Sequence, residues 1–240
     1  GEPKPAFFNP LGSIHGGWTA TITGNVSSGN GVGISASGKD LNVSLNRVGL
    51  DGATETVIGN TGRGIDIGEA STAELTRNVV AGSGAQGIHV INGSTATLRA
   101  NRILSSTAKP IDAAGAPAAP NLVAAVRATS GTSTRTTLIL NDLPKGDAGT
   151  IEVFANESCS DPEAEIVMDI SRTKKVDEEV RIIQIIVNAT RDNYTVTYTD
   201  AGGHTSELSG CVEAKSYGDA DGDGSQDPFD AILGQKDDPP

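Results

Sequence analysis

The sequence predicts an all-β protein, and three observations predict this class. The 240 residues include 30 glycines but only 3 % aromatic residues, so small aliphatic side chains must fill the core. Apolar and polar residues alternate in many short segments, with the period of two that marks a half-buried strand. Similar segments also recur through the first half of the chain, which is the signature of a repeat architecture.

Four segments of the first half align on an apolar residue that is followed three positions later by Asn. They read ITGN, VSLN, LTRN and LRAN, and begin at residues 22, 43, 75 and 98. A second segment follows each: GISA (33–36), GIDI (64–67), GIHV (87–90) and PIDA (110–113). This spacing leaves room for three short strands and three turns in each coil, and stacked coils can share a dry interior. The extra stretch of the second coil, LDGATETVIGN, is predicted to be a protruding loop.

The asparagines that end the first segments are predicted to form a ladder. Asn tolerates the left-handed backbone region, and its amide can bond the equivalent amide one coil away. The four residues concerned are Asn25, Asn46, Asn78 and Asn101.

The segments GNTGRGIDIGEAS and GSGAQGIHVINGS resemble the parallel β-helix repeats of pectate-lyase-like, carbohydrate-associated bacterial surface proteins. The resemblance covers roughly residues 18–115 and implies a right-handed parallel β-helix of about four coils, assigned to residues 1–117. It implies a fold and no single function, because such coils serve lyases, hydrolases, epimerases, tailspikes and adhesins.

One outward column of the coils carries the candidate catalytic residues. If the isoleucines of the second segments point inward, Ser35, Asp66, His89 and Asp112 point outward, about 4.8 Å apart. Such a column could bind a cation or act as an acid/base group on a sugar, but we favour a solvated polar face. Only about four coils are present, and the basic residues Arg63, Arg77, Arg99 and Arg102 are scattered.

The second half predicts a different β unit. An Ala/Pro/Gly-rich stretch at 110–122 ends the coils, and seven strand-like runs with turn signals predict a β-sandwich over residues 118–216. The two cysteines, Cys159 and Cys211, form no C-x-x-C pair and predict one disulfide in an oxidising compartment, with two buried thiols as the alternative. TYTDAGGHTSELSGCV and GTIEVFANESC resemble bacterial immunoglobulin-like modules. His204 and Glu207 fall in a turn and are expected to be solvated.

The tail at 217–240 contains a calcium motif, DADGDGSQDPFD. A hard cation prefers six to eight oxygen ligands, and Gly224 permits the sharp turn that brings them together. The motif resembles an EF-hand loop, but Pro228 and an Asp at its last position bring it nearer to a thrombospondin type 3 repeat. The alternative is a disordered acidic linker. The predicted Ca²⁺ ligands are Asp219, Asp221, Asp223, Ser225, Asp227 and Asp230.

Net charge and composition limit the classes of partner and function that the chain can have. The net charge of −12 argues against nucleic acid or anionic lipid as a partner, and no apolar run is long enough to cross a membrane. We expect a secreted or cell-surface scaffold or adhesin-type module, part of a larger chain, that contacts a glycan or surface receptor and is stiffened by Ca²⁺. The alternatives are a fragment of a polysaccharide lyase or glycoside hydrolase, and a purely structural spacer.

Overall fold

Every regular element of the described chain is a β-strand, as the sequence predicts. The computed structural model describes residues 13–14, 19–130, 133–141, 143, 149–160, 163–172, 183–188 and 191–216. The predicted calcium tail therefore lies outside the described residues.

The first half consists of short strands that wind into three parallel sheets. The strands are β1 (Ser13–Ile14), β2 (Ala20–Thr23), β3 (Val26–Ser27), β4 (Ile34–Ala36), β5 (Leu41–Ser44), β6 (Arg47–Val48), β7 (Ile65–Ile67), β8 (Thr72–Thr76), β9 (Val79–Ala81), β10 (Ile88–Val90), β11 (Thr95–Arg99), β12 (Arg102–Leu104) and β13 (Ile111–Ala113). The order is β1-β4-β7-β10-β13 in sheet 1, β2-β5-β8-β11 in sheet 2 and β3-β6-β9-β12 in sheet 3, so each coil adds a strand to each sheet in turn. This arrangement fits the predicted β-helix.

The inner column of sheet 1 is built from isoleucine, as the alternation predicts. Ile34, Ile65, Ile88 and Ile111 lie opposite one another in successive strands and are all buried. Each coil alone would leave this apolar row exposed, so the core forms only because neighbouring coils cover it.

Packing between the sheets requires a glycine before three of these isoleucines, whereas Ile111 follows Pro110. A Cβ atom on Gly64 would overlap Cγ1 of Val80, a residue of sheet 3 that points into the same corner. Gly33 and Gly87 face β-branched side chains of sheet 3 in the same way. The repeated Gly-Ile pair of the sequence therefore marks the corner where two sheets meet. Glycine is required there because a Cβ atom would overlap the branched side chain of the neighbouring sheet.

The predicted asparagine ladder is present. The Nδ2 group of Asn46 donates to Oδ1 of Asn78 at 2.9 Å, and Asn78 donates to Asn101 at 2.9 Å. Asn25 starts the ladder by donating to Asn46 at 3.1 Å. The side chains of Asn46, Asn78 and Asn101 are buried, so water cannot reach their amide groups. The bonds of the ladder supply the partners that these buried groups need.

The left-handed residue at this turn is the one before each Asn, which corrects the expectation that Asn itself adopts this conformation. Leu45, Arg77 and Ala100 have φ angles of 57°, 54° and 53°, and Gly24 has 68°. The asparagine stabilises the turn through its side chain, while its predecessor carries the unusual backbone angle.

The second half forms two four-stranded sheets that share one core. Their orders are β18-β15-β14-β21 and β17-β16-β19-β20, and the core includes Leu138, Leu140, Ile151, Tyr194 and Tyr198. The disulfide Cys159–Cys211 joins segments beside this unit. The strands are β14 (Asn121–Ser130), β15 (Ser133–Asn141), β16 (Thr150–Asn156), β17 (Ile166–Arg172), β18 (Ile183–Asn188), β19 (Asn193–Thr199), β20 (Val212–Glu213) and β21 (Lys215–Ser216).

The second unit caps the end of the coil stack. Phe154 and Ala164 belong to the same hydrophobic cluster as the inner residues of the coils. Ala164 pairs with Ile103 through two backbone hydrogen bonds of 2.9 and 3.3 Å, and the N–H of Thr205 donates to the carbonyl of Ala96 at 3.1 Å. These bonds cover the outer edges of β12 and β11, which would otherwise present unpaired backbone groups.

Two glutamates of the second unit replace the coil that would come next. In the stack, the N–H of Arg77 donates to a carbonyl oxygen of the following coil at 3.0 Å. At the equivalent position of the last coil, the N–H of Ala100 donates to Oε1 of Glu152 at 2.6 Å. The N–H of Ser105 donates in the same manner to Glu163. Both carboxylates are buried, so they serve as acceptors where water is excluded.

Candidate functional site

The predicted outward column of sheet 1 is observed. Ser35 lies opposite Asp66, Asp66 opposite His89, and His89 opposite Asp112 in the parallel register of β4, β7, β10 and β13. The side chains of Asp66, His89 and Asp112 are 21 %, 13 % and 29 % exposed, so the column lies in a half-buried surface and not in open solvent.

Asp66 is bound on two sides. Its Oδ1 atom lies 2.7 Å from Nδ1 of His89 and 3.1 Å from Nη1 of Arg63. The expectation that Arg63 is one of several scattered basic residues is therefore wrong, because the fold places its guanidinium beside the column. Both donors contact Oδ1, so this oxygen is held between an imidazole and a guanidinium.

Asp112 belongs to a longer polar chain. Gln86 donates to Oδ2 of Asp112 at 3.1 Å, and Lys109 lies 3.8 Å from Oδ1. Lys109 also binds both carboxylate oxygens of Glu207, at 2.7 and 2.9 Å, and this hydrogen bond raises the pKa of Lys109. Glu207 is thus a contact between the second unit and the coils, although its side chain remains partly solvated, as expected.

The partners of the column were missed by sequence reasoning, although the sequence marks them. Arg63, Gln86 and Lys109 occupy the same position in successive coils, two residues before an inward isoleucine. Arg63 also donates to Gln86 at 3.3 Å, which links the two halves of the network. Extending the alignment by two residues would have shown that these polar residues recur in register, although alternation alone would have placed them on the inward face.

The chemistry open to this face is limited by these bonds. An imidazole oriented by a carboxylate can act as a general base, and the Asp66–His89 pair has this arrangement. The cation-binding alternative is not supported, because the described residues contain no group of three or more His, Cys, Asp or Glu side chains arranged to hold a metal ion. The face is therefore an internally satisfied polar surface with one imidazole–carboxylate pair.

A groove on the outer face of sheet 2 is a second candidate site. Its volume is about 460 Å³. Asn42, Glu74 and Thr97 lie opposite one another in β5, β8 and β11 and form an outward column along the groove. The alternation used for sheet 1 would have identified this column as well. The lining residues are Asp40, Leu41, Asn42, Thr72, Ala73, Glu74, Thr97 and Arg99.

A third polar cluster joins the two units. Nε2 of His204 lies 3.0 Å from Oγ1 of Thr95, and its Nδ1 lies 3.2 Å from the carboxylate of Asp200. This is the hydrogen-bond order of a nucleophile, base and acid triad. The cavity beside His204 measures about 10 Å³, which holds about one water molecule and no acyl substrate. The cluster therefore fastens the turn at 200–205 to the coils, while the His204 side chain remains 37 % exposed, in keeping with the expected solvated turn.

The remaining predicted site residues lie elsewhere in the chain. The calcium candidates Asp219, Asp221, Asp223, Ser225, Asp227 and Asp230 fall outside the described residues. No helix suited to crossing a bilayer occurs in the part of the chain that the structure describes. No protein-family model matches the chain, and no curated protein sequence matches it.

Proposed function

We propose that this chain is a scaffold or adhesin-type module, secreted or displayed at a cell surface, that binds a glycan without cleaving it. The observation that carries the proposal is the state of the sheet 1 column. Asp66, His89 and Asp112 each already bond to a neighbouring side chain, so the face resembles a rigid display surface more than a reaction centre.

The proposed architecture assigns a named fold to each part of the chain, beyond the sheets described above. It comprises a right-handed parallel β-helix, an immunoglobulin-like sandwich over residues 118–216 and a calcium-binding tail at 217–240. The disulfide Cys159–Cys211 supports an extracytoplasmic location, because such bonds persist in oxidising compartments. A stack whose last coil is capped would present a stiff, flat-sided surface suited to contact with an extended polymer.

We expect the chain to retain neutral polysaccharides on an affinity matrix without releasing products. The measurement is retention together with an assay for new reducing ends and for unsaturated products, over a panel of acidic and neutral polysaccharides. The triple variant Asp66→Ala, His89→Ala, Asp112→Ala should retain the same polysaccharides as the parent. Failure of the parent to retain any polysaccharide would remove the glycan proposal.

The second candidate function is a polysaccharide lyase or glycoside hydrolase. The 2.7 Å contact between His89 and Asp66 favours it, since it provides an oriented imidazole on an outer face. Product release by the parent chain that the triple variant abolishes would establish this candidate in place of the binding module.

The calcium part of the proposal predicts that the tail takes up Ca²⁺. We expect calorimetry to detect binding that a variant carrying Asp221→Ala and Asp223→Ala loses, because both carboxylates are proposed ligands. Where the tail docks on the folded units, chelation should also lower stability by about 1 to 3 kcal/mol. An unchanged melting midpoint with chelator, together with no bound Ca²⁺ by calorimetry, would eliminate the calcium site.

A further inference from the structure

Two outer faces of the coil stack carry long polar side chains, and they differ in whether those side chains have partners. On sheet 1, Arg63 and His89 both bind Asp66, and Gln86 donates to Asp112. On sheet 2, the side chains of Asn42 and Glu74 make no hydrogen bond or ion pair with any described residue, although they line a common groove. Arg99, which also lines this groove, lies near the carboxylate of Glu152.

We propose that this groove is the glycan-binding surface and that its ligand is a neutral oligosaccharide lying along the stack, across successive coils. The proposal rests on the function proposed above and assigns it to a face. Side chains that project into a concave space without partners can bind a ligand without first breaking bonds within the protein, whereas the sheet 1 network would have to be disrupted.

The donor and acceptor pattern of the groove matches a ligand rich in hydroxyl groups. Asp40 and Glu74 offer carboxylate acceptors, Arg99 and Asn42 offer N–H donors, and Thr72 can do either. Neighbouring strands repeat about every 4.8 Å, so equivalent polar groups recur at short, regular intervals along the groove. A volume of about 460 Å³ falls within the range of ligand sites of about 300 to 1,000 Å³.

The charge of the groove distinguishes a neutral glycan from an acidic one. Two carboxylates, Asp40 and Glu74, face one guanidinium, Arg99, and the whole chain carries a net charge of −12. This field opposes uronate or sulfated polymers. The lining has no aromatic ring on which a nucleobase could stack. A peptide strand would seek an unpaired sheet edge, whereas the groove floor is a sheet face with paired strands.

The second unit borders the groove at one end. The hydroxyl of Thr97 donates to the carbonyl of Gly203 at 2.8 Å, and a Cβ on Gly203 would come within 2.6 Å of that hydroxyl. The turn at 200–205 therefore lies directly on the last strand of the groove. A ligand that runs along the stack would meet this turn, so the groove has a defined end.

The test is isothermal calorimetry of the full chain with neutral hexasaccharides of glucose, mannose, xylose and galactose, and with an oligogalacturonate of the same length. We expect at least one neutral hexasaccharide to bind and the acidic one to bind more weakly. Glu74→Gln and Asn42→Ala should each weaken binding about tenfold or more, since the first replaces a charged acceptor oxygen with an amide N–H₂ donor and the second removes the whole amide. Glu69→Gln is the matched control, because it removes an exposed carboxylate from the same coil outside the groove.

The outcomes separate the two proposals. If no hexasaccharide binds the parent, both the groove and the glycan-binding function fall. If a hexasaccharide binds and Glu74→Gln and Asn42→Ala leave its affinity unchanged, the function stands and the groove is overturned. Loss of binding on His89→Ala would place the ligand on sheet 1. Unchanged melting midpoints for these surface variants would show that altered affinity does not reflect unfolding.

Discussion

Replacing Asn78 by alanine should lower the free energy of unfolding by about 3 to 5 kcal/mol. Its Nδ2 group donates to Asn101 at 2.9 Å and to the carbonyl of Val43 at 2.8 Å. Its Oδ1 atom accepts from the side chain of Asn46 at 2.9 Å and from the backbone N–H of Asn46 at 3.1 Å. The side chain is fully buried, so alanine would leave several buried polar groups without partners.

The control for this variant is Asn25→Ala, at the start of the same ladder. Asn25 is exposed, and its side chain only donates to Asn46, so its loss should lower stability by about 1 kcal/mol. Urea unfolding followed by circular dichroism measures both variants. Equal losses for Asn25→Ala and Asn78→Ala would contradict the idea that the buried ladder stabilises the stack.

Glu152→Gln should remove a pH dependence of stability of about 3 kcal/mol. Burial raises the pKa of Glu152 to about 7 from its ordinary value of 4.5, against opposing effects of the Ala100 N–H and the nearby Arg99. Because the folded state retains the proton where the unfolded state releases it, this contribution is fully present below about pH 4.5. It declines as pH rises and is lost above about pH 7.

The measurement is urea unfolding of parent and variant at pH 5 and pH 8. Relative to the parent, Glu152→Gln should gain stability at pH 8, because the parent must then keep a charged carboxylate buried between its two units. Glu69→Gln, which alters an exposed carboxylate, should follow the parent at both pH values. If the stability of Glu152→Gln changed between pH 5 and pH 8 by as much as that of the parent, the pH dependence would not come from Glu152.

The sequence alone determined the features that repeat from coil to coil. Ile65 and Ile88 form part of the core, Asn46 and Asn78 form the ladder, and Asp66 lies beside His89, all as the alternation predicts. Prediction succeeds here because the partner of each residue is the equivalent residue of the next coil. A match of sequence position then implies a contact in space, since parallel strands stack in register.

Contacts between the two units could not be predicted in this way. Glu152 reaches Ala100 across 52 positions of sequence, and His204 reaches Thr95 across 109. No repeat relates these residues, and each alone resembles an ordinary polar side chain of a strand or turn. Their roles arise because the last coil needs acceptors for its backbone N–H groups and the second unit is positioned to supply them.

The choice of the proposed binding face also depended on the tertiary structure. Alternation places polar residues outward on both sheet 1 and sheet 2. Asp66, His89 and Asp112 were the predicted candidates because Asp and His are residue types that act in catalysis. Only the folded chain shows that they are bonded to their neighbours, while Asn42 and Glu74 line an open groove. Periodicity assigns the direction in which a side chain points, but whether it meets a partner depends on neighbours that only the folded chain brings together.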